Sequence, residues 1–328
     1  MSRMDTVVVG AIHRRMYAKT TTMTIVVYAL IVYALLLPAA AAEASEAPDR
    51  RVRSCAPTNQ GAKKQSDAHP WGGADPGGKM VDLTATISAE LPAWLSATGL
   101  GAGHRTETTS LGKGDVNTAS DLFLSAHTGT HVDAPKHFVR DDPTGIEAIP
   151  LDVINGPALV VEAFGVEALT AEVLATLDIP SAGVSRVLFR TDNTRRGRMK
   201  QTAFDAAYVG FTTDGAEWMV THRPEVKAIG IDYLSIASLD HLVAAHVKLL
   251  EAKVVPIEGL VIPEPARARG GETLIDRLKS FVASVLNKGG ARDDEEGIEA
   301  GWWWLHCAPL KLGGSDGAPA RVWLTPIK

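Results

Sequence analysis

The chain has very little cysteine: only Cys55 and Cys307 occur among its 328 residues. Two cysteines cannot supply the disulfide framework of a small secreted scaffold, and a chain of this length can bury a core without one. Secretion would permit a bridge between the two, but nothing in the sequence supports it. An excess of basic residues is also missing, since the formal net charge is -5. This charge argues against a nucleic-acid partner, which would favour a basic face.

Long apolar runs are scarce as well, and the clearest one covers residues 24–37. Basic residues precede it and an alanine-rich stretch follows it, which is the pattern of a secretory signal peptide. We therefore predict a signal peptide at residues 1–42 and a protein that is secreted or held in the secretory pathway. A signal anchor in a membrane and an organelle import signal are the alternatives that this segment leaves open.

Residues 43–79 are rich in Pro, Gly, Ala and charge and contain almost no aliphatic side chains. This composition predicts a disordered linker, so the folded domain should cover residues 80–328. Within residues 266–300 the pattern changes to an apolar stripe of helical period, between positions 274 and 286, followed by a charged loop. We expect this part to be an inserted helix and loop at the periphery of the domain.

The rest of the domain alternates β-branched runs with helical patterns. Thr170 is placed to cap one short helix, and Asp240 to cap another from about residue 241 to 252. This alternation predicts an α/β (mixed α+β) fold in which one domain has a central β-structure flanked by helices. The strands that we predict cover residues 81–87, 157–164, 185–191, 228–232, 254–262 and 320–327.

The segment SAHTGTHVDAPKHF, residues 125–138, carries the chemistry. His127, His131, Asp133 and His137 all have odd numbers, so an extended backbone would place the four side chains on one face. Imidazole and carboxylate groups that converge on one point suit a divalent cation such as zinc or manganese. The cluster contains no cysteine, which disfavours a structural zinc site. A polar strand with fortuitous histidines is the alternative interpretation.

The motif HTGTHVDAPKH resembles the His-x-Gly-Thr-His-x-Asp-x-Pro-x-His signature of the cyclase family, which includes bacterial-type kynurenine formamidases and isatin hydrolases. Further segments, such as LDVINGPALVV and GIDYLSIASLDHL, are similar to the plant cyclase-like branch. The resemblance covers about residues 80–265 and 302–328.

The resemblance implies a division of labour within the motif. His127, His131 and Asp133 would bind metal, and His137 would act as general acid and base. The family also has a histidine and a glutamate 12 residues apart downstream, a spacing that His246 and Glu258 match here. The cofactor would be one or two divalent ions per subunit, Zn²⁺ or Mn²⁺.

Three further expectations concern the site and its partners. His246 shares a helical stripe with leucines and should point inward, and Glu258 ends an apolar strand, where a carboxylate needs a partner. Trp94 matches a tryptophan that lines the formamidase substrate pocket, although a core aromatic is an equal alternative. By resemblance the chain would form a homo-oligomer, either a dimer or a tetramer.

The resemblance implies a metal-dependent hydrolase that acts on a small-molecule amide or formamide. An arylformamidase would convert N-formylkynurenine to kynurenine and formate. Two alternatives stay open at this point. One is hydrolysis of another cyclic amide, such as an isatin-like lactam. The other is a secreted regulatory protein that binds a partner and has a structural metal site.

Overall fold

The computed structural model describes residues 80–265 and 297–327. The predicted signal peptide (1–42), the predicted linker (43–79) and the helical stripe between positions 274 and 286 lie outside these residues. Within the described part, the chain forms strands and α-helices and also short 3₁₀ helices, among them Pro135–His137 and Leu239–His241. No helix in this part is long and apolar enough to span a membrane.

The strands of the described residues are numbered in chain order. They are β1 (Val81–Asp82), β2 (Arg105–Thr109), β3 (Ala119–Leu122), β4 (His131–Asp133), β5 (Gly156–Ala163), β6 (Arg186–Thr191), β7 (Ala228–Ile231), β8 (Val255–Glu258), β9 (Gly301–Pro309) and β10 (Gly317–Pro326). The α-helices are α1 (Leu151–Ile154), α2 (Ala171–Thr176), α3 (Asp192–Arg195), α4 (Thr213–His222) and α5 (Leu242–Glu251). Strands β2 and β3 form a separate hairpin that the sequence pattern did not predict.

Seven strands form a closed barrel in the order β10-β4-β8-β7-β6-β5-β9, because β9 pairs with β10 as well as with β5. Strands β5, β6, β7 and β8 run parallel to one another. Helices α2, α4 and α5 lie in the connections between these four strands. The remaining pairs of the ring are antiparallel. The predicted mixed α/β domain with central β-structure and flanking helices is therefore confirmed.

Alternate residues of the parallel strands belong to two different hydrophobic cores. On β6, Leu188 packs with side chains of the antiparallel strands inside the barrel, whereas Val187 and Phe189 face the layer of helices. All six residues of β6 are buried, and its three apolar residues, Val187, Leu188 and Phe189, follow one another without alternation because both faces of the strand are covered. The barrel wall is thus covered on both sides where the parallel strands lie.

Three local predictions were wrong. The predicted strand 81–87 is limited to β1, because the chain changes partners at Leu83. The Leu83 amide donates to the Val322 carbonyl on β10, whereas the Leu83 carbonyl accepts from the Val261 amide. The predicted strand 254–262 ends at Glu258, because Gly259 has a φ of 67° and turns the chain. Asp240 caps no helix: it lies inside the 3₁₀ helix Leu239–His241, which leads directly into α5. The Thr170 cap is confirmed, since its hydroxyl accepts from the Val173 amide at 3.2 Å.

Candidate metal centre

The centre begins on β4, where His131 and Asp133 point to one face of the strand. Both are buried, with 1% and 0% of their surface exposed, while Val132 between them points into the barrel core. Strand β8 places Glu258 opposite His131, and β10 places Gly317 opposite Asp133. The two pairings bring the ends of three strands, distant in the sequence, to one point.

His127 and His137 also lie at this point, but not on an extended strand as the odd-number pattern predicted. The extended strand is only three residues long, so His127 lies in a turn before it and His137 ends the 3₁₀ helix after it. Gly317 makes room for His127, because a Cβ at that position would lie 2.8 Å from His127 Cε1. The His127 and His137 rings stack with their centres 4.0 Å apart. The prediction that the four side chains converge was correct, but the single extended face was wrong.

His246 and Glu258 complete the cluster. His246 points inward from α5, with its Nε2 3.1 Å from Glu258 Oε1. The other carboxylate oxygen of Glu258 lies 3.1 Å from His131 Nε2. Burial by itself would raise the pKa of Glu258. The hydrogen bonds from the two histidines have the larger effect and hold the pKa well below its ordinary value. The pair that the family resemblance implied thus lies beside β4.

Backbone carbonyls fix the tautomers of the two buried histidines. His131 Nδ1 donates to the Gly129 carbonyl at 2.9 Å, and His246 Nδ1 donates to the Leu242 carbonyl at 2.6 Å. Nε2 of each ring therefore faces the carboxylates. Burial lowers the pKa of both rings, but Glu258 and Asp133 raise it to a net value above the ordinary one. In the metal-free protein the Nε2 proton bonds to Glu258, and this is the proton that a cation would replace.

Asp133 has a buried oxygen without a hydrogen bond. Nothing in the described part of the chain donates to its Oδ2, whose nearest histidine nitrogen is Nε2 of His246 at 3.6 Å. A buried polar atom without a partner is costly unless another group, such as an ion, satisfies it. Asp133 also belongs to both groups of side chains whose ligand atoms lie within 4.8 Å of one another: His127, Asp133 and His137, and His131, Asp133 and Glu258. The donor set of imidazole nitrogens and carboxylate oxygens fits a divalent cation of borderline character.

The two partly exposed histidines have opposite pKa shifts. Burial lowers the pKa of His127, but Asp133 and Asp316 raise it to about 9. Burial lowers the pKa of His137, and the charge of His127 adds to this effect while Asp133 opposes it. At neutral pH in the metal-free protein, His127 is therefore charged and His137 is neutral and able to accept a proton.

Asp316 is a member of the cluster that the sequence reasoning missed. Its Oδ2 lies 2.9 Å from His127 Nε2 and 3.3 Å from His137 Nδ1. The signal in the sequence is weak: an acidic residue in the Gly-Gly-Ser-Asp-Gly turn that precedes the last strand. Only the pairing of β10 with β4 shows that this turn lies beside the motif.

Trp94 lies in an aromatic cluster next to the centre. The residue is 39% exposed, and its ring packs edge-on against Phe204, with ring centres 4.8 Å apart, and against Tyr208 at 6.3 Å. Tyr233 belongs to the same cluster, and its carbonyl accepts from the amide of Gly259, the residue after Glu258. Trp94 is thus neither fully buried nor isolated, and its role in substrate binding stays a prediction.

Comparisons with known proteins show the family to which this chain belongs. The family described as "Putative cyclase" matches residues 81–238. Cyclase-like protein 2 of Oryza sativa subsp. japonica is 36% identical over 299 residues, which cover 90% of this chain and 96% of that protein. This chain belongs to the cyclase family.

More distant members of the cyclase family carry functional names. The kynurenine formamidase of Maricaulis maris (strain MCS10) is 27% identical over 254 residues, which cover 76% of this chain and 99% of that enzyme. A solved structure described as a potential metal-dependent hydrolase with cyclase activity is also 27% identical. Its TM-score is 0.55, and the match covers 76% of this chain and 99% of that chain.

Proposed function

We propose that this member of the cyclase family is a metal-dependent hydrolase of amide or formamide bonds, and that N-formylkynurenine is its substrate. The observation that carries the proposal is the buried oxygen of Asp133, which accepts no hydrogen bond within the described residues although it lies among histidines. The relationship to a named kynurenine formamidase supports the choice of substrate.

Two sets of side chains would hold the metal. The family pattern makes His127, His131 and Asp133 the first set, and Glu258 with His246, whose Nε2 lies 3.1 Å from Glu258 Oε1, the second. A bound Zn²⁺ or Mn²⁺ ion lowers the pKa of water toward neutrality and polarises a carbonyl oxygen. Asp133 belongs to both groups of side chains whose ligand atoms lie close together, so it would be a ligand whether the cluster held one ion or two.

His137 would carry the proton. Its neutral ring accepts a proton from the attacking water, while the new carbon–oxygen bond forms at the formyl carbon. The same ring then delivers the proton to the leaving nitrogen as the carbon–nitrogen bond breaks. One amide and one water are thus converted to formate and the free amine.

The aromatic side chains beside the centre would orient an aromatic substrate. Phe138 stacks on the His246 ring with centres 4.3 Å apart, and Trp94 presents a partly exposed ring from the neighbouring cluster. Aromatic rings prefer offset or edge-on contacts of this kind. If Trp94 contacts the substrate, Trp94→Ala raises KM more than it lowers kcat.

The test measures the metal content of the purified full-length protein together with formate release from N-formylkynurenine. His137→Ala should keep its metal and lose turnover. His222→Ala removes an exposed histidine from α4 and should change neither quantity. Loss of metal in His137→Ala would contradict the division of labour.

The same measurement separates the alternatives. Turnover of isatin but not of N-formylkynurenine would replace the proposed substrate with a lactam and keep the hydrolase. Stoichiometric metal without turnover of either amide would favour a binding protein with a structural metal site. Absence of metal after growth in metal-supplemented medium would overturn the metal-dependent mechanism itself.

A further inference from the structure

Asp316 contacts both histidines that lie at the open side of the centre. One oxygen, Oδ2, faces His127 Nε2 at 2.9 Å and His137 Nδ1 at 3.3 Å. An ionised carboxylate only accepts hydrogen bonds. The nitrogen of each ring that faces it is therefore favoured as the protonated one.

The backbone holds this carboxylate in place. The Asp316 carbonyl accepts from the Ala134 amide at 2.9 Å, directly after β4. On the other side, the carbonyl of Ser315 accepts from the Ile146 amide at 2.9 Å, and the Ser315 hydroxyl donates to the Gly317 carbonyl at 2.7 Å. The two backbone bonds tie the turn to Ala134 and to Ile146, which distinguishes Asp316 from a surface carboxylate on a free loop.

The consequence differs for the two rings. His127 keeps its proton on Nε2, so Nδ1, which lies 2.9 Å from Asp133 Oδ1, becomes the nitrogen available to a metal ion. His137 keeps its proton on Nδ1, so Nε2 becomes the atom that takes up a proton. Metal-binding histidines commonly donate their other ring N–H to a carboxylate in this manner.

We propose that Asp316 is a positioning residue that fixes the tautomers of His127 and His137 together. One carboxylate oxygen thereby presents the metal-binding nitrogen of one ring and the proton-accepting nitrogen of the other. The part of the proposal that concerns proton transfer by His137 rests on the proposed function, whereas the tautomers and the metal affinity do not.

The test compares Asp316→Ala, Asp316→Asn and Asp316→Glu with the wild type in the full-length protein loaded with Zn²⁺. Histidine selectively labelled with ¹⁵N reports which ring nitrogen is protonated, and His127→Gln and His137→Gln assign the signals. Competition with a chromophoric chelator gives the Kd for Zn²⁺. Asp121→Asn is the matched control, since Asp121 is an exposed carboxylate on β3.

Asp316→Ala should weaken Zn²⁺ binding by about 10- to 100-fold, the usual cost of losing the outer partner of a ligand histidine. The His137 signals should also change to a mixture of tautomers. Asp316→Asn keeps the shape without the charge and should show a smaller change in both quantities, and Asp316→Glu should recover part of the affinity.

Wild-type affinity and wild-type tautomers in Asp316→Ala would overturn the proposal. Neither readout needs a substrate, so the proposal about Asp316 can fail or succeed separately from the formamidase reaction. Where formamidase turnover is present, the expected kinetic result is a lower kcat with KM little changed.

Discussion

In each of the four histidines at the centre, one imidazole nitrogen faces an oxygen that is not among the expected metal ligands. Backbone carbonyls serve His131 and His246, and Asp316 serves His127 and His137. A histidine whose second nitrogen is engaged cannot rotate freely, so its remaining nitrogen has a fixed direction. At the scale of single residues, the centre is thus organised before any ion binds.

The affinity for metal should depend on pH. In the metal-free protein the pKa of His127 is raised from 6.5 to about 9, and those of His131 and His246 are also raised. A protonated nitrogen cannot bind metal, so binding releases protons wherever these rings carry an extra one. We expect the affinity for Zn²⁺ to rise as the pH increases from 6.5 toward 9, because His127 loses its extra proton over this range.

Calorimetry in buffers with different ionisation enthalpies counts the protons released at each pH. Proton release should decrease as the pH approaches 9. An affinity that does not change over this range would mean that the histidines do not bind the ion.

Asp133 should matter to metal binding more than any residue around it. It belongs to both candidate ligand groups, and its unpaired oxygen is the one that an ion would satisfy. Asp133→Asn should therefore reduce the affinity by more than the roughly 10- to 100-fold expected for an outer partner. Metal analysis after dialysis measures the effect, with Asp141→Asn as an exposed control. Full metal content in Asp133→Asn would place the ion elsewhere.

At the scale of secondary-structure elements, the centre depends on how β4, β8 and the segment after β1 are joined. The Thr130 hydroxyl, which is buried, donates to the Gly259 carbonyl at 2.6 Å and accepts from the Ala85 amide at 2.8 Å. One side chain thus links three chain segments beside His131. A buried hydrogen-bonding group of this kind has no water to replace it.

Thr130→Val should lower the free energy of unfolding by about 1–3 kcal/mol for each backbone group that is left unpaired. Valine has nearly the same shape as threonine, so packing is not the cause. Thr130→Ser keeps the hydroxyl and should lose much less. Urea unfolding of the two variants gives the comparison, and equal stability of both would show that the hydroxyl contributes nothing.

At the scale of the whole molecule, a buried arginine joins the barrel to the segments on either side of residues 266–296. Arg190 on β6 is fully buried, and its Nη1 donates to the carbonyls of Pro263 and Ile298, at 2.7 Å in each case. Its Nη2 pairs with Glu162 on β5 at 2.6 Å. The two chain segments are therefore held together at the barrel wall.

Arg190→Met should lower the free energy of unfolding by about 1–3 kcal/mol for each of the two backbone carbonyls that it leaves unpaired. Arg321→Met is the matched control. Arg321 pairs with Asp82 but is 68% exposed, and exposed pairs contribute about 0–1 kcal/mol. Thermal and urea unfolding measure both variants, and similar losses in the two would show that burial of Arg190 is not the cause.

The sequence alone determined the class of fold and pointed to most of the side chains that gather at the centre, although not to Asp316. The motif of residues 127–137 is local, and the resemblance to the cyclase family supplies the 12-residue spacing that points to His246 and Glu258. The apolar residues 187–189 of β6 and the Thr170 cap are also local signals. Each depends only on residues within a few positions of itself in the sequence.

The tertiary structure decided how these residues meet. His127 and His137 do not share an extended face with β4, because Gly129 and Pro135 confine the strand to three residues. Asp316 joins the centre through the pairing of β10 with β4, a contact between residues far apart in the sequence. The register between such strands depends on closure of the whole barrel, and no local pattern of side chains encodes it.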